Sequence, residues 1–195
     1  MKSAVVILAM LVATTALAAT EKSAAHHATK GGKPYFEATD TLRTQATVLS
    51  INQKTRHASL RTESGDTVKV EAGPEAKNFN QVKKGDVVKI TYTEKLTIHI
   101  EPSGAAGTST ESTSGSAKAG EKPTASAKAK TTYKATITAI DKDKGTVTLQ
   151  GSSGDQFEVT PMHPENIDKV KVGDLVVFTY SQAIAASVEK VAANK

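Results

Sequence analysis

The sequence contains no cysteine and no tryptophan, and aromatic residues make up 4% of its 195 positions. Without cysteine the chain forms no disulfide and has no residue for lipid attachment behind a signal peptide. There are three methionines, and two of them, Met1 and Met10, lie in the first ten residues. Packing alone must therefore stabilise the folded part, and soft sulfur ligands for a metal ion are scarce.

Residues 1–19 are arranged like a cleavable signal peptide. Lys2 supplies the positive start, an apolar run covers residues 4–13, and the Ala-rich pattern that follows predicts cleavage after Ala18 or Ala19. The run is too short to span a bilayer, so we expect a periplasmic or secreted protein with no transmembrane segment in its mature form. Removing Lys2, the one charge in this segment, lowers the net charge from +5 to +4 (5 − 1).

An internal repeat organises the rest of the chain. ATVLSINQKTRHASLRTESGDTVKV (residues 46–70) matches ATITAIDKDKGTVTLQGSSGDQFEV (residues 135–159), at an offset of 89 residues (135 − 46). NFNQVKKGDVVKITYTEKLTIHIE (residues 78–101) matches NIDKVKVGDLVVFTYSQAIAASVE (residues 166–189), at an offset of 88 (166 − 78). The sequence therefore predicts two tandem domains of one fold, at residues 44–101 and 133–195.

Each copy predicts five short strands and one helical turn. In the first copy the strands centre on residues 46–51, 58–60, 68–70, 88–92 and 96–100. Val48 and Ile51 are three positions apart, which predicts a bulge in the first strand. Phe79 and Val82, also three apart, fit one helical turn, and the Gly-Asp that follows predicts a glycine at positive φ. This order is typical of a small five-stranded OB-like barrel, with an SH3-like barrel as the alternative.

Two segments outside the repeat are polar. Residues 20–43 include His26, His27 and a Lys-Gly-Gly-Lys-Pro stretch, and they predict a mobile polar arm. Residues 102–132 consist almost entirely of small and polar residues, which bury too little surface to offset the entropy of ordering. They predict a disordered linker between the two barrels.

The pattern V-K-x-G-D-x-V-x-x-x-Y occurs in both copies, at residues 82–92 and 170–180. With it the repeat resembles an uncharacterised family of small exported bacterial tandem-repeat proteins. The second repeat has an Ile-x-x-Ile-Asp start, a Val-Thr-Pro segment and a Lys-Val-Gly-Asp turn. Through these it also resembles, more loosely, the periplasmic copper/silver-binding chaperones. Those are single five-stranded OB barrels, so the resemblance implies that fold for each repeat.

The copper and silver chaperones hold their ion with a histidine, two methionine thioethers and a tryptophan. This sequence has neither a Met-x-Met pair nor a tryptophan, so their site cannot be carried over. Met162 and His163 form the one soft pair of the mature chain, while His57 and His99 fall on predicted strands two and five of the first copy. These four residues are the weak metal candidates. We expect no tight copper or silver site, because neither copy supplies three soft ligands.

No other chemistry has support in the sequence. Barrels that bind nucleic acid stack bases on exposed aromatics of strands two and three. Here those strands offer only Phe157, which the alternation predicts to point inward. No G-x-S-x-G, H-E-x-x-H or phosphate-loop motif is present. We therefore expect no nucleic-acid partner, no cofactor and no catalytic residues.

The leading interpretation is a non-enzymatic, monomeric binding module of the periplasm or envelope, whose partner is an unknown envelope protein or polymer. Two copies of a domain on a flexible tether would raise avidity for a repetitive partner. The alternative interpretation is a periplasmic soft-metal (copper/silver) binding protein.

Overall fold

The computed structural model describes residues 19–22, 25–74, 76–118 and 120–190. Apart from its last residue, the predicted signal peptide lies outside this part of the chain. The described residues are all-β, as predicted, and their strands form one open antiparallel sheet. The expected division into two separate five-stranded barrels, OB-like or SH3-like, is not what the strand pairing shows. None of the helices in these residues has the length and hydrophobicity needed to cross a membrane.

Both halves of the chain contain four strands and a 3-10 helix in the same order, preceded by two strands in the first half and by one in the second. The first half contains β1 (Ala19–Lys22), β2 (His26–Lys30), β3 (Lys33–Asn52), β4 (His57–Thr62), β5 (Thr67–Glu71), a 3-10 helix (Phe79–Gln81) and β6 (Val87–Glu101). The second half contains β7 (Gly107–Ser116), β8 (Thr124–Asp141), β9 (Thr146–Gln150), β10 (Gln156–Val159), a 3-10 helix (Pro164–Lys169) and β11 (Leu175–Glu189). By the repeat offset, β3 to β6 correspond to β8 to β11.

The order of strands in the sheet shows how the repeats join. It runs β10-β9-β8-β11-β6-β3-β4-β5, with β1 and β2 beside β3 and β7 beside β8. The last strands of the two repeats, β6 and β11, are therefore neighbours at the centre. The repeats are related by a pseudo-twofold axis that passes between these two strands.

Predicted strands four and five of each copy form a single strand. β6 has 15 residues and pairs with β11 along its whole length, from Val87 opposite Glu189 to Glu101 opposite Leu175. A separate five-stranded barrel would need the chain to turn near residue 94, so that strand five could return to its own repeat. Because β6 runs straight on, it pairs along its length with β11 of the other repeat on one side and with β3 on the other, and the sheet stays open.

The segments expected to be a mobile arm and a disordered linker also contain strands. In the arm, β2 pairs with the start of β3, with His26 opposite Glu37. In the linker, β7 pairs with the first part of β8, from Gly107 opposite Lys134 to Ser116 opposite Ala125. This pairing was not predictable from composition, because backbone hydrogen bonds along a neighbouring strand need no apolar side chains.

Each repeat has its own hydrophobic core. The first is built around Val48 and Leu60, and the second around the corresponding Ile137 and Leu149. Val188, at the end of β11, packs against the first core. The second repeat therefore contributes to the core of the first.

The predicted bulge and turn are confirmed, and they contact each other. The register of β3 against β4 shifts between Val48 and Ser50, and β8 shifts at the equivalent place. Gly85 has a φ of +92°, and its N–H donates to the carbonyl of Val48 at 2.8 Å. The N–H of Val48 donates in turn to the carbonyl of Asp86 at 2.9 Å. Two backbone hydrogen bonds thus join the bulge of β3 to the turn that precedes β6. In the second repeat, Gly173 and Asp174 make the same two bonds with Ile137 of β8.

Candidate functional site

Four polar side chains meet at the centre of the sheet, on the pseudo-twofold axis. Glu94 of β6 lies directly opposite Gln182 of β11. The hydroxyls of Tyr92 and Tyr180 both donate to one carboxylate oxygen, Glu94 Oε1, at 2.5 and 2.7 Å. The Gln182 amide donates to the two tyrosine oxygens at 2.8 and 3.0 Å. We call these four residues the seam cluster.

Hydrogen bonding fixes the charge of the seam cluster. The hydroxyls of Tyr180 and Tyr92 lower the pKa of Glu94 below its ordinary value of 4.5, although burial opposes this. Burial and the bond to Glu94 raise the pKa of both tyrosines above 10.0. At neutral pH the cluster therefore holds one carboxylate, two neutral phenols and one amide. A carboxylate held by such donors is a poor proton acceptor, so the cluster is built to hold strands together rather than to transfer protons.

A cavity of about 350 Å³ opens beside the first core. Its walls come from three parts of the chain: Val48, Ala58 and Phe79 belong to the first repeat, Ala127 to the linker segment and Ala186 to the second repeat. Among the lining residues that the structure describes, four have polar side chains, namely Glu71, Lys77, Thr124 and Ser126. A cavity of this size with mostly apolar walls and a few polar groups has the character of a small-molecule site.

The cavity exists because the repeats differ in side-chain size. Repeat-equivalent positions carry a larger residue in the other half of the molecule: Val147 for Ala58 and Phe178 for Ile90. The strands that border the cavity from the other half, β8 and β11, also carry smaller side chains there than the equivalent strands β3 and β6. Ala125 and Ala186, which pair with each other beside the cavity, correspond to the pair Phe36 and Ile98. Phe79 is the exception, since it is larger than its counterpart Ile167.

Arg56 holds the loop that forms one side of the cavity. Its guanidinium donates to the carbonyls of Ala72, Gly73 and Ala76 at 2.6 to 2.9 Å and lies 5.1 Å from the centre of the Phe79 ring. Arg56 itself has a φ of +57°. This role of Arg56 was not predictable, because nothing in the neighbouring sequence indicates that one side chain binds three carbonyls of a later loop.

A second loop borders the cavity from the linker. The Asn78 side chain donates to the carbonyls of Lys118 and Glu121 at 2.7 and 3.1 Å. The N–H of Val188 donates to the carbonyl of Pro123, one of the cavity-lining residues. The linker thus contributes a wall to a cavity whose floor is the core of the first repeat.

The four predicted metal candidates do not form one site. Met162 is 79% exposed. His57 donates to the carbonyl of Thr55 at 2.7 Å, and His99 lies 3.3 Å from Glu101. Among the residues that the structure describes, no group of three or more His, Cys, Asp or Glu side chains is placed to hold a metal ion.

One contact in this region was not expected. The ring of His163 lies 4.4 Å, centre to centre, from the ring of His27 in the arm. His27 also contacts Phe36 at 4.9 Å. Residues 20–43 were expected to be mobile, whereas β2 places this arm histidine against the second repeat.

Phe157 differs from its prediction as well. It is 46% exposed rather than turned into the core. It pairs with Leu149 near the end of the sheet, where β10 has a neighbour on one side only. An end strand leaves more of its side chains open to solvent than the alternation of apolar residues indicates.

The sequence and the fold were compared with known proteins. No protein-family model matches the chain, and neither a curated protein nor a solved structure is significantly similar to it.

Proposed function

We propose that this protein is a non-enzymatic binding module of the cell envelope, periplasmic or secreted, which holds a small apolar ligand in the cavity of its first repeat. The cavity is the observation that carries the proposal. It is large enough for a small molecule, and most of the lining residues in the described part of the chain have apolar side chains. Export is supported by the signal-like residues 1–19.

The lining also indicates how the ligand would lie. Val48, Ala58 and Ala186 offer only hydrocarbon to it, whereas Glu71 and Lys77 are exposed at the open side. An apolar segment would fill the interior, and an uncharged polar end would remain near the rim, where both a donor and an acceptor are present. An alkyl chain or an aromatic ring with a hydroxyl or amide end has this character.

The two-barrel organisation is part of the same proposal. We take each repeat to be a five-stranded OB-like barrel whose last strand has been exchanged with the other repeat. Five predicted strands per copy support this, as does the pairing of β6 with β11 along its full length. Exchange of identical elements is a common way for related domains to join. It would explain why the cavity needs strands from both repeats.

Binding of an uncharged naphthalene dye, N-phenylnaphthylamine, tests the proposed site, because its fluorescence rises in apolar surroundings. We expect saturable binding of one dye per chain. Replacing Ala58 and Ala186 with the residues of the other half, Ala58→Val and Ala186→Ile, should weaken it about tenfold or more by filling the cavity.

The matched control is Ala185→Ile. Ala185 is exposed and faces the opposite side of β11, so the same change there should leave dye binding unaltered. Equal binding by the filled and control variants would show that the dye does not occupy the cavity.

A second candidate function, soft-metal (copper/silver) binding, is favoured by the contact between His27 and His163, with Met162 next in sequence. Imidazole and thioether groups suit monovalent copper or silver. Calorimetric titration with Ag(I) decides between the two candidates. Submicromolar binding that is lost in a Met162→Ala, His163→Ala double variant would place metal binding first.

A further inference from the structure

The seam between the two repeats is symmetric in its register. β6 and β11 pair over residues 87–101 and 175–189 in one uninterrupted register. Glu94 and Gln182 occupy the centre of that register, and they are also repeat equivalents, since 182 − 94 is 88. Tyr92 and Tyr180 are equivalents in the same way and flank the centre diagonally. Within the seam cluster one position breaks the symmetry, because the first repeat has a carboxylate where the second has an amide.

The difference matters because hydrogen-bond donors and acceptors must balance at the centre. The two tyrosine hydroxyls and the Gln182 amide are donors, and Glu94 Oε1 accepts from all three at 2.5, 2.7 and 3.4 Å. Each tyrosine oxygen also accepts from Gln182. One glutamate and one glutamine therefore make a complete network between the strands.

We propose that this network makes the seam heterotypic, which means that β6 pairs with β11 in preference to the β6 of a second copy. The seam therefore forms within one chain rather than between two copies. A β6 strand paired with the β6 of another copy in the same register would place Glu94 opposite Glu94. Like charges directly opposite each other destabilise a strand pair. A β11–β11 pair would place Gln182 opposite Gln182 and leave both tyrosines without a carboxylate acceptor.

The surroundings add to the discrimination. On the other side of β6, Asp40 of β3 lies opposite Glu94, and on the other side of β11, β8 presents Ala129 to Gln182. The ionisable groups that face Glu94 are therefore Tyr92, Tyr180 and Asp40. A second seam glutamate would be the third carboxylate in this row, and the lysine of the row, Lys22 of β1, lies opposite Asp40 rather than opposite either seam position.

The test exchanges the two central residues in the full chain. Gln182→Glu should lower the melting temperature at pH 7 by roughly 3–8 °C, because two carboxylates then face each other. The difference from wild type should shrink as the pH falls, starting above the pH at which Glu94 itself takes up a proton, because two facing carboxylates raise the pKa of the added one. Glu94→Gln should also be less stable than wild type at pH 7, but its deficit should shrink only as the pH falls through the lowered pKa of Glu94.

The double exchange, Glu94→Gln with Gln182→Glu, is the decisive variant. The pseudo-twofold axis maps one position onto the other, so we expect its melting temperature to return to within about 2 °C of wild type. An exchanged variant that is as unstable as Gln182→Glu, or that does not fold, would overturn the proposal. Light scattering of the wild type should give the mass of one chain at every concentration, and a dimer would overturn the conclusion that the seam closes within one chain.

Discussion

Lys33 Nζ lies 2.6 Å from Asp174 Oδ2 and joins the start of β3 to the turn before β11, 141 positions later. Asp174 is fully buried, and the Lys33 side chain is 28% exposed. Burial raises the pKa of Asp174, but the hydrogen bonds from Lys33 and from the N–H of Lys171 outweigh it, so the pKa lies below its ordinary value. The arm is therefore attached to the second repeat by a buried ion pair.

Removing the lysine should leave a buried carboxylate without its partner. We expect Lys33→Met to lower the free energy of unfolding by about 2–4 kcal/mol, as measured by urea denaturation at pH 7. Lys89→Met is the matched control, because Lys89 makes an ion pair of similar length, 2.7 Å, with Glu189 on the surface. A surface pair contributes little. Equal effects of the two substitutions would contradict the role assigned to Lys33.

Acid should destabilise the protein through the same carboxylates. Glu94 and Asp174 both have a pKa below the ordinary value in the folded chain. Groups of this kind contribute stability that is present above their unfolded pKa and is lost as the pH falls through their folded pKa. Stability should therefore be constant near neutral pH and decline below about pH 4.5. Glu94→Gln should make the decline shallower, and a curve identical to wild type would show that Glu94 does not contribute.

The glycine of each Gly-Asp turn should be sensitive to substitution. Gly85 and Gly173 have φ values of +92° and +91°, and an added Cβ would meet no atom within 4 Å at either position. Backbone strain alone should then lower stability by roughly 1–3 kcal/mol for Gly85→Val or Gly173→Val. Gly107 is the control, since its Cβ would also meet open space and its φ is not positive. Thermal denaturation of Gly85→Val and Gly107→Val should therefore measure the cost of the positive φ, because an added Cβ meets no atom within 4 Å at either position.

Cutting the chain between β6 and β7 should not separate the repeats. The seam between β6 and β11 spans 15 residue pairs, and Val188 packs against the first core. A protease site inserted at residues 102–106 should give two fragments that elute together and part only in denaturant. The same cut in the Gln182→Glu background should release them more readily. Fragments that separate at once after cleavage in the wild type would show that each repeat folds alone.

Local features of the fold were predictable because each has a short sequence signature. The bulge follows from the spacing of Val48 and Ile51, and the turn from Gly85 and the residue after it. The straight course of β6 was not predictable. A charged residue within a run of alternating apolar residues is typical of a turn between two strands, and Glu94 lies at such a place. In the structure its side chain instead contacts Gln182 of the neighbouring strand.

The candidate sites were hidden for a related reason. The cavity depends on Ala125 and Ala186, which lie in segments that sequence reasoning assigns to a linker and to the core of the other repeat. Nothing local to an alanine predicts that it borders empty space. Alignment of the two copies supplies the missing signal, because Phe36 and Ile98 stand at the equivalent positions.

The long seam also determines the order in which the sheet can be completed. β6 ends at Glu101 and β11 begins at Leu175, so 74 positions (175 − 101) separate a strand from its central neighbour. A chain released N-terminus first presents the outer edge of β6, with its row of unpaired backbone groups, until the last strand emerges. Such distant pairing is slow to form, and a waiting edge is a site where other chains can add. We expect Glu94 to disfavour this addition as well. If the β6 edges of two incomplete chains paired in the register of the seam, Glu94 would lie opposite Glu94, and two like charges would face each other.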